Sequence, residues 1–286
     1  GVNEDDADRG WLPSVHWLRS VAHRRDGNFD AAHRELDLVE RGLGLADPQI
    51  GVARIRIRWL EGDVDRAAEL LCAHHQHVAS TREGFLVREA ALEAAARVAW
   101  LGDTERARAL LNAAPVMYET PSSLADVLEA IALAAIAIEE DDERRAALVL
   151  RDVALAGPAA LGTAGGWYWR DRAAMVALRV LLPDAANVWE SEPLPGEHTI
   201  GRELAAVFGA VRAGDVDAIA HFQWPTVGVV RAHLPKRWVT QFVAAAVASG
   251  NPPPLGMPEA MGAADAINTS LSPDQAEPLR VSVLGP

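Results

Sequence analysis

Few side chains in this sequence have the type and spacing to do chemistry. "CAHHQH" at 72–77 brings together Cys72, His74, His75 and His77. On a helix, Cys72 with His75, or His74 with His77, share a face at i, i+3 spacing, the beginning of a soft or borderline metal site. Such a site needs further ligands from another helix. The segment also closes a predicted helix, where cationic side chains complement the dipole and water is near. It is read as a solvated helix end, and no metal ligand is assigned. "GPAALGTAGG" at 157–166 is glycine-rich but follows a predicted helix rather than a strand and lacks a Lys-Ser/Thr ending, so it fails as a phosphate loop. No nucleophile elbow or His-Glu zinc motif occurs. The chain is therefore expected not to be an enzyme and to need no cofactor in this segment.

"GGWYWRDRAA" at 165–174 gathers three aromatics, Trp167, Tyr168 and Trp169, with Arg170 and Arg172 close behind. Two readings stand. The aromatics fill a seam between helices, or they stack on a ligand while an arginine holds an anionic group. Trp167, Trp169, Arg170 and Arg172 are the residues nominated for ligand or partner contact. "EEDDER" at 139–144 resembles the aspartate-rich motif of prenyl-diphosphate enzymes, which hold magnesium on carboxylates of one helical face. Arg145 stands where that motif's last acid belongs, and the cluster falls on a predicted turn, so it is read as an exposed turn. Trp17, Trp59 and Trp100, late on predicted helices, are read as mostly core.

The elements that must position these residues are helices. The chain has 286 residues, half hydrophobic but only 6% aromatic. Alanine and leucine dominate, without the β-branched clusters of many strands. Its single cysteine allows no internal disulfide, and a reducing cytoplasmic compartment is expected. The first residue is Gly rather than Met, and the opening "GVNEDDADRG" has neither the basic start nor the apolar core of a signal peptide. The longest apolar run, "IALAAIAI" at 131–138, is far short of the roughly 20 residues of a membrane helix. A net charge of −13, with Lys236 the one lysine, repels a phosphate backbone, so no direct nucleic-acid binding by this segment is expected.

A turn recurs along the chain, followed by a small residue: "GNFDAA" at 27–32, "GDVDRA" at 62–67, "GDTERA" at 102–107, "DDERRA" at 141–146 and "GDVDAI" at 214–219. Its spacings are 35, 40, 39 and 73 residues, the last long enough for two units, and periods of this size indicate stacked helical hairpins. Glycine ends one helix in the left-handed conformation, the next residue caps the following helix, and the alanine admits a close helix crossing. Helices are predicted near 13–26, 28–42, 48–61, 63–78, 82–101, 104–113, 123–139 and 142–155. Further ones are predicted near 166–181, 185–190, 198–213, 215–223, 226–233 and 236–249.

The "GDxxxA" turn resembles the tetratricopeptide repeat over about 27–220, although the usual aromatic after the Gly-Asp/Asn pair occurs only at Phe29. Periods near 40 look more like the longer repeats in the sensor regions of large ATP-binding bacterial regulators. The expected fold is all-α, an elongated tetratricopeptide-like helical-hairpin solenoid over 11–249. It follows an acidic N-terminus at 1–10 and precedes a proline-rich break, short helix and linker at 250–278. The closing "LRVSVLGP" at 279–286 alternates apolar and polar residues as a strand does. It resembles the opening strand of the winged-helix DNA-binding domain in the Streptomyces antibiotic regulatory protein family. Together with "RAHLPKRWVTQFVAAAVASG" at 231–250, it looks like the junction between sensor and DNA-binding domains in large multidomain actinobacterial regulators. The resemblance implies a piece of a longer transcriptional regulator, with an ATP-binding switch domain among its neighbours. It also implies that this region senses a small effector or a partner segment. The alternative is an interaction scaffold that grips an extended peptide or helix without a small ligand.

Overall fold

The computed structural model describes residues 12–43, 48–81, 85–115, 123–160, 174–183, 199–215 and 217–253. They form an all-α array of sequentially packed helices, with no strand among the described residues. The helices are α1 (Leu12–Arg25), α2 (Phe29–Leu43), α3 (Pro48–Glu61), α4 (Val64–Thr81), α5 (Phe85–Trp100), α6 (Thr104–Ala113) and α7 (Ser123–Glu139). Then follow α8 (Glu143–Ala160), α9 (Ala174–Leu181), α10 (Thr199–Arg212), α11 (Asp217–Ala220), α12 (Val227–His233) and α13 (Lys236–Ala248).

The recurring turn is one structure repeated. Gly27, Gly62, Gly102 and Gly214 have φ of 72°, 97°, 84° and 91°, the left-handed region that glycine enters without a Cβ penalty. At 141 the sequence offers Asp instead, and Asp141 takes φ 66° in the same role. Each turn is closed by the same two bonds: the N–H of the left-handed residue reaches back three carbonyls and the next N–H reaches back five, as in Asp103 N–H to Val98 O at 3.1 Å. Asn28, Asp103, Asp142 and Asp215 then cap the following segment, their side-chain oxygens accepting from the N–H three residues on. The fifth residue after each left-handed position (Ala32, Ala67, Ala107, Ala146 and Ile219) is completely buried. A small side chain there lets the helices of α1/α2, α3/α4, α5/α6 and α7/α8 cross closely.

The first helices of these hairpins make the centre of the array. Every residue of α5 from Ala90 to Trp100 is buried, Glu93 and Arg97 included, so this stretch is covered on all sides. α7 packs beside α5 and buries most of 125–138. Trp59 and Trp100 are buried as expected, whereas Trp17 is only half-buried.

Several predicted boundaries move. α4 runs to Thr81 rather than ending near 78, and α8 runs to Ala160 rather than 155. Pro158 deprives α8 of one N–H, but its fixed φ is helical and the backbone continues. The expected helix at 215–223 shrinks to Asp217–Ala220. Trp224 precedes Pro225, which disfavours helix there, and the carbonyls of Ile219 and Phe222 are taken by the Asn251 side-chain amide at 2.7 and 3.0 Å. The expected helix start at 166–173, the helix at 185–190 and the strand at 279–286 lie outside the described residues.

Nearest-neighbour stacking does not describe the last two helices. α12 leaves the sequential order and packs on α3 and α4, and α13 reaches α7. A sixth turn of the recurring kind, at Gly250 (φ 76°) and Asn251, follows α13. In sequence it is followed by Pro252, Pro253 and Pro254, and the short helix expected within 250–278 lies outside the described residues. Beneath it, Phe208, Phe222, Trp224, Trp238 and Phe242 form an aromatic cluster with ring centroids 5.2–6.1 Å apart.

Candidate functional site

Trp167, Trp169, Arg170 and Arg172 lie outside the described residues. The site that the described residues do assemble is the seam where 226–240 crosses the row of recurring turns.

At the first crossing, Gly228 lies against the Gly62 turn so closely that a Cβ on Gly228 would stand 2.0 Å from the Gly62 carbonyl oxygen. Only glycine fits on either side of this contact. One turn further along α12, the buried indole N–H of Trp59 donates to the Ala232 carbonyl at 3.1 Å. Arg231 meets Asp65 in a two-pronged pair at 2.7 and 2.8 Å, and this guanidinium holds the Asp65 carboxyl below its ordinary value.

Lys236 covers the Gly102 turn, its side chain 2.6 Å from where a Cβ would sit. At the third crossing the N-terminus of α13 meets the acidic turn. Pro235, the residue before α13, provides no side-chain cap, and Glu139 supplies one from the end of α7 by accepting the Arg237 N–H at 2.6 Å. Burial pushes the Glu139 carboxyl up, against the opposing pull of that bond and of the Lys236 and Arg237 charges. Arg237 pairs with Asp141 at 2.6 Å, and Glu143 accepts the indole N–H of Trp238 at 2.9 Å while also pairing with Arg212. The exposed turn read from the sequence is present at 140–142, and the acids of this stretch also serve a second element. Glu140, Asp141 and Asp142 are exposed, but Glu139, Asp141 and Glu143 grip α13.

The reading of the Cys72–His77 segment is corrected. Because α4 continues past it, Cys72 is buried, and burial raises its thiol, which disfavours the reactive thiolate. His74 and His75 are partly covered, and desolvation lowers both, with the Glu93 charge opposing the shift at His74. Among the described residues no group of three or more His, Cys, Asp or Glu side chains converges as metal ligands would.

A second polar cluster escaped the sequence. Glu93 receives a two-pronged pair from Arg56 at 2.8 and 2.6 Å, and one turn on, Arg97 stacks 4.5 Å from the Trp59 ring. Glu93 and Arg97 lie within an alanine-rich run, "LEAAARVAW", where their i, i+4 spacing was the available signal. For the seam, the signal was the clustering of Arg231, Lys236, Arg237 and Trp238 in an otherwise acidic chain. No protein-family description matches the chain, and neither does any curated protein or solved structure. No described helix is long and apolar enough to cross a membrane.

Proposed function

We propose that this chain is the sensor region of a multidomain transcriptional regulator. In this reading it is a non-catalytic, tetratricopeptide-like solenoid that couples a small effector or a partner segment to neighbouring ATP-switch and DNA-binding domains. The observation that carries the reading is the seam. The chain running toward the proposed domain junction is held by turns from three successive hairpins, at Gly62, Gly102 and Glu139–Glu143. It is locked again at Asn251 through Ile219 and Phe222. A ligand that favours one arrangement of the hairpins over another therefore shifts the exit of the chain with them.

Trp167, Trp169, Arg170 and Arg172 remain the proposed contact for the effector, on the clustering of aromatics and arginines at 167–172 in the sequence. Titrating the chain with a metabolite collection while following tryptophan fluorescence and amide exchange tests this. The expected result is saturable quenching by one compound class together with altered exchange at 226–251. Binding without any change at 226–251 overturns the coupling, and catalytic turnover by the chain overturns the non-enzymatic reading. An interaction scaffold is the second reading, and the apolar outer side of α1 favours it.

A further inference from the structure

α1 is fastened to the array on one side by His16, whose Nδ1 lies 2.5 Å from Glu35 of α2. Its other side packs against no described helix. Leu12, Val15 and Leu18 are 49%, 37% and 59% exposed, and Ala22 is exposed beside them. The spacing 12, 15, 18, 22 is the stripe one helix offers to another, and at 1.5 Å per residue it runs about 15 Å. That is long for a small molecule and suited to a helix. Leu18 also forms one wall of a cleft of about 370 Å³, whose floor includes Trp17, Val39, Leu43 and Ile50. That volume lies within the roughly 300–1,000 Å³ of ligand pockets and has room for more than one anchoring apolar side chain.

Charge selects the occupant. In a chain of net charge −13, α1 carries no acid, and the positive charge that reaches its outer side is exposed Arg19, within the stripe; Arg24 is buried. A second copy of α1 would bring like charges together. We infer that the outer side of α1 and its cleft form a docking groove for an amphipathic helix of a partner protein, with an apolar stripe flanked by acidic side chains. The inference goes beyond the regulator reading and does not depend on it.

The test uses the 286-residue chain and two synthetic helical peptides with leucines at heptad a and d positions, one filled with glutamate and the other with lysine. Non-specific attraction to a body of charge −13 favours the lysine peptide, so the opposite preference is diagnostic. The glutamate peptide is expected to bind at least tenfold more tightly, by calorimetry. Leu18→Glu is expected to weaken it at least tenfold with an unchanged thermal midpoint, and Arg19→Glu to reverse the preference. Leu148→Glu, at an exposed leucine of α8, is the control expected to change nothing. Equal or reversed peptide preference, no glutamate-peptide binding at millimolar concentration, insensitivity to Leu18→Glu, or sensitivity to Leu148→Glu overturns the proposal. So does a dimer in sedimentation that Leu18→Glu dissolves, which would assign the groove to self-association.

Discussion

Asp141 and Glu139, two residues apart, bear the conformational and electrostatic costs of the third crossing. Asp141 holds a left-handed conformation that glycine holds in five sister turns. Asp141→Gly loses an ion pair whose carboxylate is 71% exposed and therefore contributes little. It also removes backbone strain of roughly 1 kcal/mol. The variant is expected to raise the urea midpoint slightly. Gly228→Ala acts in the opposite direction, because the added methyl meets the Gly62 backbone. A loss of about 2–3 kcal/mol is expected by urea unfolding. Glu139 gives a pH signature. Its carboxyl is raised in the folded state, so the folded chain holds that proton more tightly. The associated stability is complete below the ordinary value of 4.5 and is lost as pH rises through the folded one. Glu139→Gln still accepts the Arg237 N–H and removes this loss. Its stability relative to the parent is expected to grow between pH 4.5 and 7 in paired urea titrations. Asp65, lowered by Arg231, works in the other sense and gives up stability as pH falls.

At the scale of elements, the buried small residue of each turn decides how closely two helices approach. Ala67→Leu, Ala107→Leu and Ala146→Leu are each expected to cost about 1–3 kcal/mol. Ala22→Leu, at an exposed position of α1, is expected to cost almost nothing. The hairpins were legible in the sequence because glycine, cap and alanine all act within six residues of one another, where spacing can be read directly. The ends of α4 and α11 were not. α4 continues where no local breaker stops it, while α11 is shortened by Asn251, whose bond to Ile219 spans 32 residues. Cys72 was misplaced for the same reason: its burial depends on how far α4 extends and on what packs over it, not on its own neighbours.

For the whole molecule, the seam is the part that local pattern could not reveal. The pairing of Gly62 with Gly228 joins distant glycines, and the turn motif at Gly62 carries no sign of its partner. Arg231 and Arg237 have no partner in sequence until the fold brings Asp65 and Asp141 to them. Removing 226–286 is expected to uncover Trp59, shift tryptophan emission to the red and lower the urea midpoint. A truncated chain with unshifted emission and an unchanged midpoint would show that the hairpins stand without the returning helices.

The return of α12 to α3 and α4 also bears on how the chain is made. Asp65 and Arg231 are separated by 166 residues, and a ribosome adding about 5–20 residues per second needs roughly 8–33 s to bridge them. During that interval the early hairpins have emerged while the surface that α12 will cover is open to water and to chaperones. Closure must therefore come late in synthesis, and refolding of the finished chain should show a phase slower than hairpin formation.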